Sequence, residues 1–395
     1  MASQSSKMKV QCLNPDRISS LPQDITGNIL TRMPIRDAIR TSILSRKWRS
    51  GWKSMTRLVF NDKMVTVPSN RQQLKKYKLA SAILDVLLMH TGSILQITID
   101  VVELDVDSEF NQIICYLSRH NHLQKLNFWG SLEKKHCYKL PSSFFSLQGL
   151  EFLGLHNCLF RPPIIFDGFS KLSTVHFANV DITSKTLQLF LSKCPLITVL
   201  HLICDYSRDF ATGNKFTFVE LLQCVPLIEN LVIKGPYMKH LSAGGMPHKL
   251  PTSLVQLKCL SLGMCYDEEY EVSSALCLIR SSPNLEKVVL TGYDKSDTTQ
   301  ISKNFPDIQD YSGFALDHLE FFCMKWFTYE DRQVDFLKLI MAKSPMLKRA
   351  QIELYESVSL EEENELVRDL LQLPFPRASL SAKLIFKRPE PEPAS

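Results

Sequence analysis

The sequence predicts an α/β chain: a short three-helix module in front, then a curved solenoid of parallel strands joined by helical return legs. Three observations carry this expectation. A six-residue pattern, apolar-x-x-apolar-x-apolar, recurs along most of the chain. Helical stretches that end at a proline stand between successive copies. Ahead of them lies a basic segment with helical periodicity and two tryptophans.

The pattern falls at Ile94-Ile97-Ile99, Leu123-Leu126-Phe128, Leu150-Leu153-Leu155, Leu172-Val175-Phe177 and Ile197-Leu200-Leu202. It continues at Ile228-Leu231-Ile233, Leu257-Leu260-Leu262, Leu285-Val288-Leu290, Leu316-Leu319-Phe321 and Leu347-Ala350-Ile352. The steps between copies are 29, 27, 22, 25, 31, 29, 28, 31 and 31 residues, which is the scale of a repeat architecture. Alternation in the last three positions makes a short strand with one buried face, and the intervening residues must carry the chain back to start the next strand. Those residues read as helices. Leu187, Phe190 and Leu191 precede Cys194-Pro195; Val219, Leu222 and Cys224 precede Pro226. Leu276, Ile279 and Arg280 precede Ser282-Pro283; Phe336, Leu339 and Ile340 precede Ser344-Pro345. Each proline stops its helix just before the next strand. Stacked strand-and-helix units give a curved solenoid. A globular α/β domain around one central sheet is the alternative, and the regular recurrence argues against it.

Between Asp16 and Phe60 three helices are expected. Ser20 can cap the first, with Gln23 at capping-box spacing and Pro22 tolerated in the first turn. Leu21, Ile25 and Ile29, widened by Leu30 and Met33, form its apolar stripe. Pro34 ends that helix at Met33 and opens a second, where Ile35, Ala38, Ile39, Ser42 and Ile43 share a face. Ser45 can cap the third, which would carry Trp48 and Trp52 four residues apart on one side. About 45 residues with so few aliphatic positions make a poor independent core, so some of this surface should finish its burial on a partner. From Asp16 to Arg57 there are nine Lys or Arg against three Asp, a net +6 that exceeds the +5 of the whole chain. That partner should be acidic.

The stretch DRISSLPQDITGNILTRMPIRDAIRTSILSRKWRSGWKSM resembles an F-box: Leu21-Pro22 at its start, the Met33-Pro34 break, the join from Ser42 to Lys47, then Trp48. Gly27 is a departure, a poor helix former inside the first helix, costing up to ~1 kcal/mol relative to Ala. The resemblance implies a contact surface for a Skp-type adaptor, which tethers the chain to a cullin and its RING subunit. Carried over position by position, the contacts are Leu21, Pro22, Ile25, Ile29, Leu30, Pro34, Ala38, Ile43, Leu44 and Trp48. A second resemblance, to the FBD region that follows leucine-rich repeats in plant F-box proteins, covers residues 316–386. Phe336, Leu337, Leu339 and Ile340 match its helix, Ser344 to Lys348 its join and Phe375-Pro376-Arg377-Ala378-Ser379 its closing motif. The family has a Gly after the strand where this chain has Thr328-Tyr329.

The expected organisation is a disordered tail (1–15), the F-box (16–60), a connecting segment packed on the first repeat (61–93), leucine-rich repeats (94–315), the FBD-like repeats and cap (316–386) and a second disordered tail (387–395). Side chains between the buried strand positions would form the target-recognition face: Asn127, Trp129, His156, His176, His201, Lys234, Glu320 and Gln351. His176 and His201 hold the same place in successive units and should stand ~5 Å apart.

The rest of the sequence excludes other chemistries. The frames for phosphate cradling, dinucleotide binding, the serine-hydrolase elbow and the zincin site are absent, so no catalytic residue and no cofactor is expected. The eleven cysteines are scattered without a C-x-x-C pair, which argues against a disulfide framework and a zinc site. His120 and His122 read as a surface pair. The acidic runs Asp267, Glu268, Glu269, Glu271 and Glu361, Glu362, Glu363 read as solvated faces, leaving no metal site. The charge is too mild for a nucleic-acid partner, and no segment reaches the ~20 apolar residues of a membrane span. A location in nucleus or cytoplasm fits best. The F-box resemblance, with the repeat pattern behind it, implies the target-recruiting subunit of a Skp-cullin-F-box ubiquitin ligase, with a non-ligase repeat scaffold as the alternative.

Overall fold

The computed structural model describes residues 20–46, 48–66, 72–100, 107–119, 122–130, 137–205, 216–243, 245–293, 314–355, 360–372 and 377–388. These fall into two compact units that divide between Leu123 and Gln124. The first unit therefore holds the F-box segment together with the first strands of the repeat pattern.

In the first unit, α1 (Gln23–Leu30) begins with Pro22 at the cap position; the Gln23 side chain of the expected capping box lies outside what the structure describes. Thr26 donates its hydroxyl back to the Pro22 carbonyl at 3.1 Å. The helix stops at Leu30, one turn before Met33, and α2 (Ile35–Arg40) starts directly after Pro34 and runs into a 3₁₀ turn at Thr41–Ile43. The expected third α-helix does not form. Its place is taken by turns and a 3₁₀ segment, Gly51–Ser54, with Ser45 hydroxyl buried and unpartnered rather than capping. Trp48 and Trp52 both end up in the core at 4% and 5% exposure, without a shared helix side.

Next comes β1 (Arg57–Asn61), which pairs in parallel with β2 (Gln96–Asp100), placing Leu58 beside Ile97 and Phe60 beside Ile99. Met55, Leu58 and Phe60 are buried and repeat the apolar-x-x-apolar-x-apolar spacing, so the array starts one unit earlier than Ile94. Between these strands α3 (Gln72–Met89) is the return leg, and α4 (Asp107–Arg119) follows β2.

The second unit is a solenoid. Its strands are β3 (Lys125–Trp129), β5 (Phe152–His156), β7 (Thr174–Ala178), β8 (Val199–Ile203), β9 (Asn230–Lys234), β10 (Cys259–Met264), β11 (Lys287–Gly292), β12 (Phe321–Phe327), β13 (Arg349–Leu354) and β14 (Lys383–Lys387). They lie side by side in that order, every pair parallel. A small pair, β4 (Tyr138–Lys139) with β6 (Cys158–Leu159), forms a second sheet. The return legs are α5 (Ser184–Ser192), α6 (Phe218–Cys224), α7 (Pro236–Ser242), α8 (Glu269–Arg280), α9 (Asp331–Lys343) and α10 (Leu360–Gln372). Each predicted helical leg forms, α6 with a full capping box between Thr217 and Glu220.

Burial follows the period-two alternation. Leu200, Leu202, Leu231, Ile233, Leu260 and Leu262 are at most 1% exposed, which stabilises by ~2 kcal/mol per side chain. Under β5 to β8, Phe144, Phe145, Phe160, Phe166, Phe169 and Phe190 pack mostly edge to face, with ring centroids 4.9 to 6.5 Å apart.

One unit sits out of the expected register. The repeat core at β12 is Leu319-Phe322-Met324, with Phe322 beside Val288 and Met324 beside Leu290, and not Leu316-Leu319-Phe321. Leu316 belongs to the preceding turn, where its carbonyl accepts from Leu319 N at 3.2 Å, just as Leu254 accepts from Leu257 at 3.1 Å. Phe321 therefore turns outward beside Lys287 and Arg349. At the far end, β14 includes Lys387, so the ordered chain passes the residue where the second tail was expected to begin; residues 389–395 and the tail at 1–15 lie outside the described residues.

Candidate interaction surfaces

Two surfaces follow from this architecture. On the F-box the expected adaptor contacts divide into a floor and a face. Leu30 and Ala38 are fully buried and Trp48 nearly so; contrary to a surface position, they pack inside the module in the unbound chain. The face is aliphatic: Ile25 is 45% exposed, Ile29 37%, Ile43 88% and Leu44 53%. Pro22 is exposed, with Leu21 and Pro34 half-buried. Ile25 and Ile29 are one turn apart and share one side of α1. Gly27 has no neighbour within 4 Å of a Cβ built there, so that glycine costs helix propensity and clears no contact. Lys47 lies outside the described residues.

On the repeat sheet, strand register aligns outward side chains in rows. One row runs Asn127, Gly154, His176, His201, Val232, and a parallel one Trp129, His156, Ala178, Ile203, Lys234. His176 and His201 are in register, as expected, and stack with ring centroids 4.1 Å apart and planes within 3°. His156 stacks on Trp129 at 3.6 Å. Asn127 fits because its neighbour is Gly154, where a Cβ would fall 2.2 Å from the Asn127 Oδ1. Burial lowers the pKa of His156 and His176 to about 4, the latter also through repulsion from His201 and His156. All of this half of the face is uncharged at neutral pH except Lys125.

The other half is ionic. Lys234, Lys325 and Glu353 approach one another, with a Lys325–Glu353 ion pair at 2.9 Å. Burial and Lys325 together lower the Lys234 pKa. Gln351, in the expected row, is only 6% exposed, because it donates to Glu353 at 2.6 Å and accepts from Arg349 at 3.1 Å. It braces its charged neighbours. Glu320 leaves the predicted row altogether: with β12 shifted, it precedes the strand and pairs with Lys348 at 2.7 Å. Lys287 and Arg349 lie over the Phe321 ring at 5.4 and 5.6 Å. Phe321 and Lys325 escape the bare pattern because the Leu316 register hides them, Lys383 and Lys387 because β14 lies beyond its ten copies, and Lys287 and Arg349 because they open their strands one place ahead of the first buried strand residue. The signal was the Leu-x-x-Leu lead-in, Leu254-x-x-Leu257, against which Leu316-x-x-Leu319 aligns.

The acidic run also needs correcting. Glu271 is buried at 2% exposure and accepts from Cys265 N at 2.9 Å and Tyr293 hydroxyl at 2.7 Å, with its pKa raised by burial. Asp267 pairs with Arg332 at 2.8 Å. Glu363 pairs with Arg388, Glu361 is exposed, and His122 is exposed, while His120 lies outside the described residues. Among the described residues no cluster of His, Cys, Asp and Glu could hold a metal ion, and no helix is long and apolar enough to cross a membrane. In the FBD-like segment the turn after β12 takes Tyr329 to φ 65°, the left-handed conformation that a Gly at this place would adopt freely. Ser379 anchors the closing segment by donating to the Leu347 carbonyl at 2.9 Å; Phe375 and Pro376 lie outside the described residues.

A module of two short α-helices and 3₁₀ turns with exposed aliphatic side chains, and a parallel strand-and-helix array, is the architecture of an interaction protein built from an N-terminal docking module and a repeat body. Comparison with known proteins agrees. Residues 18–60 match the F-box domain model, and residues 89–207 the At1g61320/AtMIF1, LRR domain model. F-box/FBD/LRR-repeat protein At1g13570 of Arabidopsis thaliana is 29% identical over 94% of this chain and 99% of its own length. FBD-associated F-box protein At5g56370, from the same plant, is 25% identical over 85% of this chain and 75% of its own length. The chain thus carries an F-box and a leucine-rich-repeat region, and over most of its length it is similar to plant F-box proteins with leucine-rich repeats and an FBD region. F-box proteins with leucine-rich repeats are generally adaptor subunits rather than enzymes, the F-box generally binding Skp-type adaptors and the repeats targets.

Proposed function

We propose that the chain is the target-recruiting subunit of a Skp-cullin-F-box ubiquitin ligase. Its F-box holds a Skp-type adaptor, and through it the cullin and RING subunits, while the repeat body holds a protein substrate. The observation that carries this reading is Ile43, 88% exposed beside Leu44 at 53%, in a module matching the F-box. Leaving such aliphatic area in water forgoes ~25 cal/mol per Å² that a partner surface would recover. The exposed Arg32, Arg40, Arg46 and Arg49 around it suit an acidic adaptor and would speed association. The chain would contribute proximity alone, the reactive thioester being held by a charged ubiquitin-carrying enzyme. The nucleus and the cytoplasm are the proposed compartments.

The test is binding of the full chain to a purified Skp-type adaptor by calorimetry. Ile43→Asp with Leu44→Asp should weaken binding by about a hundredfold, about 2.7 kcal/mol, while circular dichroism and the melting temperature stay unchanged. Absence of binding by the unaltered chain would sink the ligase reading and leave a repeat scaffold.

A further inference from the structure

The two halves of the repeat sheet's open face differ in charge. Over β3, β5, β7 and β8 the outward positions hold one cation, Lys125, and no carboxylate; Trp129, His156, His176 and His201 supply stacked rings. Over β9 to β14 they hold Lys234, Lys287, Lys325, Arg349, Lys383 and Lys387 against the single carboxylate of Glu353. Lys287, Arg349, Lys383 and Lys387 are exposed. The excess on this face equals or exceeds the formal +5 of the whole chain, so it is a concentrated field and not the average of the surface.

We propose that this face binds an extended segment of the partner protein, laid across the strands with an aromatic or aliphatic stretch over β3 to β8 and an Asp/Glu-rich stretch over β9 to β14. The inference rests on the reading of the repeats as the target-binding part and supplies its substrate class. Charge complementarity selects the occupant. Lys234, already desolvated and repelled by Lys325, gains a counter-ion when a carboxylate arrives. A carboxylate chain fits better than a phosphate polymer: five of the six cations are lysines, point charges without the bidentate fork that phosphate recognition favours, and Glu353 stands among them. The neutral rings at the other half offer a desolvated, stackable surface that takes apolar side chains and repels none. From β9 to β14 there are five inter-strand steps of ~4.8 Å, about 24 Å in all, the length of about seven residues of extended chain.

The probe is a fluorescein-labelled peptide of Trp-Leu-Trp followed by an alternating Asp-Glu run, titrated with the full chain by anisotropy at two salt concentrations. Saturable binding that weakens with salt is expected, with Lys325→Glu plus Lys387→Glu reducing it by at least about tenfold. Lys171→Glu plus Lys185→Glu, exposed and away from this face, should change it by less than about twofold at the same total charge. Equal losses from both pairs would overturn the proposal, as would tighter binding of a phosphoserine version or of a single-stranded oligonucleotide. Adaptor binding is measured on the same variants. Peptide binding without adaptor binding removes the ligase reading and keeps this face; adaptor binding without peptide binding does the reverse.

Discussion

The F-box face and the repeat-sheet face solve the same problem in opposite ways. The F-box leaves aliphatic side chains, Ile25, Ile29, Ile43 and Leu44, in solvent above a floor of Leu30, Ala38 and Trp48. The repeat sheet keeps its aliphatics underneath and offers rings and cations above them. An apolar face with a fixed partner recovers energy from burial, and so needs only the right area; a charged face chooses among partners by sign and spacing. On the F-box, residues assigned to the face by pattern turn out to be floor; on the repeat sheet Gln351 is covered by Arg349 and Glu353 and Glu320 falls ahead of its strand.

The sharpest way to break that division is to truncate the floors. Phe160 is fully buried among Phe144, Phe145, Phe177 and Phe190, and Trp48 is 4% exposed. Phe160→Ala and Trp48→Ala should each destabilise their own unit by about 3 to 5 kcal/mol in urea unfolding. If Trp48→Ala kept full stability while abolishing adaptor binding, Trp48 would be a contact residue and the floor-and-face division would be wrong.

A smaller effect tests the β12 turn, which sets the register of the charged half. Tyr329 holds φ 65° and its ring meets Phe327 edge to face at 6.2 Å. Tyr329→Gly removes ~1 to 2 kcal/mol of backbone cost and gives up the ring contact, so a net gain of up to about 1 kcal/mol is expected. A loss in the melting temperature would show that the ring contact outweighs the backbone conformation.

How much of this was legible in the sequence follows from which residues carry information locally. The strand cores from Ile97 to Leu290 and the helical legs before Pro195, Pro226, Pro283 and Pro345 show in their own spacing, because burial of one face and a proline stop are short-range constraints. The His176–His201 pair followed from counting along equal units. Beyond that, local pattern failed where two readings fit equally. Leu316-Leu319-Phe321 and Leu319-Phe322-Met324 satisfy the same template, and only pairing with β11 and β13 chooses between them. With the wrong choice Phe321 and Lys325 disappear from view and Glu320 replaces them. The third F-box helix failed for a related reason: Trp48 and Trp52 suggested a helix side, but burying both rings in a module this small is met by turns and a 3₁₀ segment. Glu271 read as solvated because charge is legible in sequence and a Tyr293 hydroxyl 22 residues away is not.

The smallest expected effect separates the two faces by pH. His156 and His176 titrate near 4 in the folded chain, below the usual 6.5, whereas residues 16–60 contain no histidine. Between about 6.5 and about 4 the unfolded chain takes up protons that the folded rings refuse, so stability must fall as pH falls through this window and level off beneath it. Both rings are partly exposed, so solvent screening keeps the loss modest. The urea midpoint of the repeat unit should therefore decline steadily from pH 7 to pH 4, and His156→Phe with His176→Phe should flatten the slope while the Trp129 stack persists. An unchanged slope in that variant would assign the decline to other groups and reduce the histidine ladder to a packing feature, leaving the cations of β9 to β14 as the part of the face that discriminates between partners.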